Sequence, residues 1–390
     1  MIVSTPFTCA FGTKCTTRRG SQFQRGVSLI ELMVAMTLGL AIVAAVGYVY
    51  VSGTIGYKTQ DAQSRMQEDA RFITETVSRD VRMAGFFGCT RSDLLNDHGY
   101  IELVASAPVM TNPTDWLAAG TAVDRFVDVG YFIRGFSTGS TNASPALPTY
   151  ATLAGSLQAN TDVVLVLRSS EDQQAVVPGD SATFGLARPL AGVSSSDNVT
   201  LVVSNCEVAK IIKPTYQSVK AGSTTTTTLK VANGMNKSVA DGGKAEEVSR
   251  VFGNDATVSL FTPSIFYVAK PTTANPLPTL RRATIAQNSA TNYGGWQITG
   301  GDIVATGVET FQTSYFVTTN LGTTTATSSE KSLADMEENP SNWPNVTAVR
   351  VRFTMVAQAT GTAVTTADSK LRQNYDFTVG VRSRQYKGVN

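Results

Sequence analysis

Arg25-Gly26-Val27-Ser28-Leu29-Ile30-Glu31-Leu32-Met33-Val34-Ala35 decides the reading of this chain. A glycine that follows a basic stretch opens a long apolar run, and one carboxylate, Glu31, interrupts that run near its start. From Leu32 to Val51 no side chain is charged. About 20 such residues in a helix rise about 30 Å, the thickness of a bilayer core. An ionised group in that setting costs roughly 2.5–3.5 kcal/mol on insertion scales, so Glu31 demands a cationic partner. Gly39, Gly47, Gly53 and Gly56 weaken the helix by about 1 kcal/mol each relative to alanine, but small residues let helices approach closely in lipid.

The residues ahead of Val27 carry Lys14, Arg18, Arg19 and Arg25 and no acid. Basic residues before an apolar segment hold that end in the cytoplasm, which sends the rest of the chain across the membrane. The formal charge of the whole chain is +2, yet loss of these residues leaves 28 basic against 30 acidic side chains. No basic footprint remains of the kind that binds nucleic acid. A secretory signal has an apolar core of roughly 7–15 residues and then a small-residue cleavage site. Ala44-Ala45 could imitate that site, but the apolar run continues past it.

Gly26, Ser28, Leu29, Ile30 and Glu31 stand in the order of the prepilin cleavage and methylation motif. The chain resembles type IV prepilins and their pseudopilin relatives here, with Val27 where that family prefers Phe or Met. The resemblance implies that prepilin peptidase cuts between Gly26 and Val27 and that Val27 becomes N-methylated. It also implies that Glu31 neutralises the new amino terminus of an adjacent subunit. The leader, residues 1–26, is long for this class. The next methionine after Met1 is Met33, so a shorter start would destroy the motif.

After Gly56 the sequence turns polar but keeps helical spacing. Ala62, Met66, Ala70, Ile73, Val77, Val81 and Ala84 recur in steps of three or four and mark one apolar face. Asp61–Arg65 and Glu75–Arg79 are i,i+4 pairs on the other side, and Gly85 is the expected stop. The spacing predicts one helix with a membrane or filament-core half (27–52) and an amphipathic half (53–86). The exit, Arg79-Asp80-Val81-Arg82-Met83-Ala84-Gly85-Phe86-Phe87-Gly88-Cys89, is similar to that of the PilW family of minor pilins.

Residues 87–390 read as a large β-rich domain. Plentiful Thr, Ser and Gly, with only 16% charged residues, favour strands and polar loops over helices. Strand patterns fall on 162–167, 199–203, 264–268, 308–316, 346–356 and 377–381. In one, Val349, Val351, Phe353 and Met355 alternate with Arg350, Arg352 and Thr354. No regular helices separate the runs, which predicts antiparallel pairing. Some of these runs, with the N-terminal motif, extend the PilW-like resemblance over most of the chain except near 100–155 and 215–250. The segments 137–145, 222–228 (a run of five Thr) and 318–329 read as exposed loops, and a break near 215–250 could separate two lobes.

Cys9 and Cys15 lie in the leader. Cys89 and Cys206 remain as an even pair in a domain expected to face an oxidising compartment, and read as a disulfide; two buried free thiols are the alternative. With His98 as the single histidine, the tetrahedral zinc set is incomplete. His98 reads as a surface-loop residue, and Glu171-Asp172 and Glu337-Glu338 as solvated loop charges. Asp241-Gly242-Gly243 lacks the spaced oxygen ligands of a calcium loop. There is no P-loop and no zinc-protease motif, so the sequence implies no catalytic residues, cofactor or metal.

The expectation is therefore an α+β, type IV pilin-like protein with a long N-terminal helix packed on a large antiparallel β-rich domain. The resemblance implies a non-catalytic minor pilin that helps initiate pilus assembly at the filament tip. Its expected partners are prepilin peptidase, other minor pilins, the major pilin and the inner-membrane assembly platform. The N-terminus would be cytoplasmic, the domain periplasmic, and the assembled subunit part of the pilus. A type II secretion pseudopilin shares every N-terminal feature, and a membrane-anchored adhesin or binding module is the reading from a different class.

Overall fold

The computed structural model describes residues 26–88, 101–104, 132–138, 156–177, 183–191, 193, 201–206, 209–212, 215–221, 224–230, 253–287, 296–320, 324–358 and 370–384. The chain forms two compact units that divide between Tyr57 and Lys58. One helix, α1 (Leu29–Arg82), contributes to both.

In the first unit the described residues are those of the helix and its start. Every side chain from Gly26 to Gly53 is exposed, including Leu29 at 77% and Leu40 at 70%. The Thr37 hydroxyl donates to the Val34 carbonyl at 2.9 Å, and Thr54 donates to Val51 at 2.8 Å. Both hydroxyls thus find acceptors on their own helix, as a lipid surrounding requires.

In the second unit the helix buries the face that its spacing marks out. Met66, Ala70, Ile73, Val77, Val81 and Ala84 are all buried, and Ala62 is half-buried. Opposite that face, Asp61 and Arg65 pair at 3.1 Å. Among the described residues no ion pair joins Glu75 to Arg79, so that expectation fails; Arg79 instead adds its positive field to Arg168.

The described strands form three sheets. The first runs in the order β1 (Ile101–Val104), β7 (Ala209–Ile212), β6 (Leu201–Ser204), β10 (Thr257–Phe261), β4 (Ser169–Val177), β5 (Thr183–Leu186), β9 (Thr224–Lys230), β8 (Thr215–Ala221). The second runs β13 (Trp296–Thr306), β12 (Thr279–Gln287), β11 (Ser264–Ala269), β3 (Asp162–Val166), β2 (Ile133–Ser137). The third runs β15 (Thr327–Ser332), β14 (Val308–Thr319), β16 (Val346–Gln358), β17 (Lys370–Gly380). Pairing is antiparallel throughout the described strands except between β1 and β7, which are parallel.

The third sheet carries the alternation read from the sequence. Val349, Val351, Phe353 and Met355 of β16 are buried. Val351 lies opposite Thr313 of β14 and Phe377 of β17, and Phe353 lies opposite Phe311 and Tyr375. The outer face is tied by ion pairs, with Arg350 bonded to Asp376, Arg352 to Glu330 at 2.7 Å and Arg372 to Glu309 at 2.7 Å. Between β15 and β16, α2 (Leu333–Glu338) starts on a capping box in which Ser332 and Asp335 answer each other's backbone N–H.

Three expectations need correction. The threonine run at 224–228 is not a loop but part of β9, hydrogen-bonded between β5 and β8; β-branched threonine suits a pleated strand. Much of 318–329 likewise belongs to the paired strands β14 and β15. Glu337 and Glu338 end α2, and Glu171 and Asp172 lie on β4. Asp172 accepts from Gln174 Nε2 at 2.7 Å and from the Ala191 N–H at 3.1 Å. The stretches 139–145 and 231–250 lie outside the described residues.

Candidate processing site and helix anchor

The cleavage motif sits where the helix begins. Gly26, Val27 and Ser28 precede α1 in non-helical backbone and are exposed. Ser28 caps the helix: its hydroxyl accepts from the Glu31 N–H at 3.4 Å, and its carbonyl accepts from the Leu32 N–H at 3.1 Å. Glu31 therefore occupies the first turn, where a negative charge also complements the helix dipole. Among the described residues, a methyl group placed on Gly26 would meet nothing within 4 Å.

The helix exit is held from several sides. Gly85 has φ +71° and Gly88 φ +86°, the left-handed region that glycine enters without a side-chain clash. A Cβ on Gly85 would strike the Phe132 ring, and one on Gly88 would strike the Ser204 hydroxyl. The Gly85 N–H donates to the Leu167 carbonyl at 2.9 Å. The Phe86 carbonyl accepts from both the N–H and the hydroxyl of Ser169, and the Ala84 carbonyl accepts from the Ser383 hydroxyl at 2.7 Å. Phe87 packs edge-on to Phe132, with ring centroids 5.8 Å apart, and stacks on Phe261 at 6.2 Å.

The last turn of the helix buries a charge that the sequence reading passed over. Asp80 is fully buried and pairs with Arg282 Nε at 2.6 Å and with Arg168 at 3.2 Å. The Ser264 hydroxyl donates to the same carboxylate at 2.9 Å. Burial lowers the pKa of the Arg168 guanidinium, and Asp80 opposes that shift. The signal was present: Asp80 follows Val77 by three residues and precedes Ala84 by four, so it falls on the apolar stripe.

A second buried cluster joins β3 to β14. Asp162 accepts from the Thr313 N–H at 2.7 Å and from its hydroxyl at 3.0 Å. Burial, with help from the negative field of Glu337, pushes its pKa up to about 6 against the pull of both donors. Tyr315 lies 3.0 Å from the Thr313 hydroxyl, and its own pKa is raised by burial.

Cys206 is exposed and disulfide-bonded. Its expected partner Cys89 lies outside the described residues, as does His98. The structure thus places the motif residues together at one helix end and shows a separate buried anchor at the other. Among the described residues no group of three or more His, Cys, Asp or Glu is arranged to hold a metal ion.

Comparison with known proteins gives one family match. Residues 22–47 fit the prokaryotic N-terminal methylation motif. Among solved structures the chain is similar to a type IV-like pilin from Thermus thermophilus, at 11% identity over 54% of this chain and 86% of that one. The TM-score is 0.17. No curated protein matches the chain. The chain thus carries the methylation motif at the head of an exposed apolar helix whose continuation is packed into an antiparallel β-rich body.

Proposed function

We propose that this protein is a prepilin-type subunit, a minor pilin of the PilW kind, that acts by assembly and not by catalysis. The observation that carries the reading is the match to the methylation motif at 22–47 on a helix whose apolar half has no side-chain cover of its own. Prepilin peptidase cuts the exposed peptide between Gly26 and Val27 and methylates Val27. The requirement for glycine rests with that enzyme, since nothing among the described residues crowds the position. The mature subunit stays in the inner membrane with its body in the periplasm, then joins other minor pilins, the major pilin and the assembly platform at the filament tip.

Glu31 is the partner for the freed ammonium of a neighbouring subunit. In a low-dielectric core, removal of one member of such a pair costs about 3–5 kcal/mol. In the body, Gly88 lies against Ser204, two residues before Cys206, which supports Cys89 as the disulfide partner. Mass analysis of the membrane-extracted protein tests the central claim. The expected result is a chain that starts at methylated Val27; a start at Met1 or after Ala45 would overturn it. Deletion then assigns the system, with loss of pili for a minor pilin and loss of protein secretion for a pseudopilin.

A further inference from the structure

The buried face of α1 repeats itself. Met66, Ala70, Ile73, Val77 and Val81, with Ala84 just past the helix end, follow one another at three or four residues. A slide of one helical turn, about 5.4 Å, would set each aliphatic side chain near the place of the next. Such a stripe supplies adhesion but discriminates poorly between one turn and its neighbour. The hydrogen bonds at Ala84, Gly85 and Phe86 hold the helix exit, but within the helix the stripe offers no comparable fixed point. Asp80 is the one charged residue on the buried face of α1.

Its partners come from three places in the body: Arg168 follows β3, Ser264 starts β11, and Arg282 lies on β12. A one-turn slide brings Thr76 or Ala84 to this position, and neither can answer two guanidinium groups. The arrangement is also a poor choice for stability alone. Two arginines face one carboxylate; Asp80 Oδ1 has the 3.2 Å ion pair with Arg168 but no hydrogen bond, and Arg168 Nε has no hydrogen-bond partner among the described residues. Buried ion clusters of this kind are often no more stable than an apolar replacement of equal volume, and their best-attested use is to specify register.

We propose that Asp80 is a positioning residue: its cluster with Arg168, Arg282 and Ser264 fixes the axial register of α1 on the body, which the repeating apolar stripe does not fix. The inference is independent of whether the protein enters a filament.

Hydrogen–deuterium exchange on the full chain in detergent micelles tests it with two variants. In Asp80→Asn the amides of 66–82 should exchange at least about tenfold faster, while those of β14, β16 and β17 stay within about twofold of the parent. In the apolar triple variant Asp80→Leu, Arg168→Met, Arg282→Met the melting temperature should equal or exceed that of the parent. Residues 66–82 of that variant should nevertheless show more than one isotopic population. Unchanged exchange at 66–82 in Asp80→Asn would overturn the proposal. So would a triple variant with a single population and parental protection, because shape would then suffice. Should Asp80→Asn fail to fold, the triple variant decides alone.

Discussion

The two halves of α1 are built from similar aliphatic residues and meet opposite surroundings. Between Leu29 and Gly53 every side chain is exposed, whereas Met66, Ile73, Val77 and Val81 are sealed under the β-rich body. The second half has the amphipathic stripe that a helix needs in order to pack on one side and meet water on the other. The first half is apolar on nearly every side, and among the described residues nothing covers it. Apolar surface on that scale is unfavourable in water, and a helix of this length and composition is able to cross a membrane. One half of the helix thus serves the fold of this chain, and under the proposed function the other serves assembly with neighbouring subunits.

The sharpest way to break this contrast is at the motif. Gly26→Val should abolish processing and leave the full leader on the protein, read by intact mass. Glu31→Ala should leave cleavage normal and lower recovery in sheared filament fractions by at least about tenfold, in line with the loss of a buried charge partner. Neither variant should move the thermal midpoint of the body, since both residues lie outside its core. Normal filament incorporation of Glu31→Ala would detach the carboxylate from assembly.

A matched pair of truncations tests the halves against each other. Ile73 is fully buried, and Ile73→Ala should destabilise the body by about 2–5 kcal/mol. Ile42 is 64% exposed, and Ile42→Ala should leave the thermal midpoint of the same detergent-extracted protein unchanged. Equal effects would show that the division of labour along the helix is wrong.

Much of this division was legible in the sequence. The Gly-x-Ser-Leu-Ile-Glu order placed the start of α1, and steps of three and four named its buried face from Met66 to Ala84. The alternation in β16 named which side chains enter the core. The anchor at Asp80 was harder to see, because Arg168 and Arg282 lie 88 and 202 positions away and only the folded sheets bring them in. The threonine run misled for a related reason. Its composition matches a solvated loop, but its strand pairing is decided by β5 and β8. Local periodicity reveals which face is buried; it does not reveal a charge partner on a distant strand.

The body has a pH dependence of its own. The pKa of Asp162 stands near 6 in the folded protein and near 3.8 without its surroundings. A carboxyl group with a raised folded pKa binds protons more tightly in the folded state. Its favourable contribution is present below pH 4 and fades as pH rises to about 6, with a loss on the order of 2–3 kcal/mol. Glu337, whose pKa burial also raises, acts in the same direction. Asp162→Asn keeps an acceptor for Thr313 and removes the titration, so its chemical-denaturation midpoint should vary less between pH 4 and 7 than that of the parent. An equal slope in both proteins would assign the dependence to other groups.

The smallest effect belongs to the outward face of the second half. Asp61 and Arg65 are exposed, and their 3.1 Å contact competes with water and salt. Asp61→Ala should cost only about 0.3–0.5 kcal/mol at low ionic strength and nothing measurable in 1 M salt. The same residue can also distinguish a solvated face from a docking face. If the outward side of this half meets only water, Asp61→Ala will leave recovery in filament fractions at the parental level. A clear drop in recovery with an unchanged thermal midpoint would mean that this face, like the apolar half before it, is completed by a neighbour, and the contrast between the halves would narrow to the buried side alone.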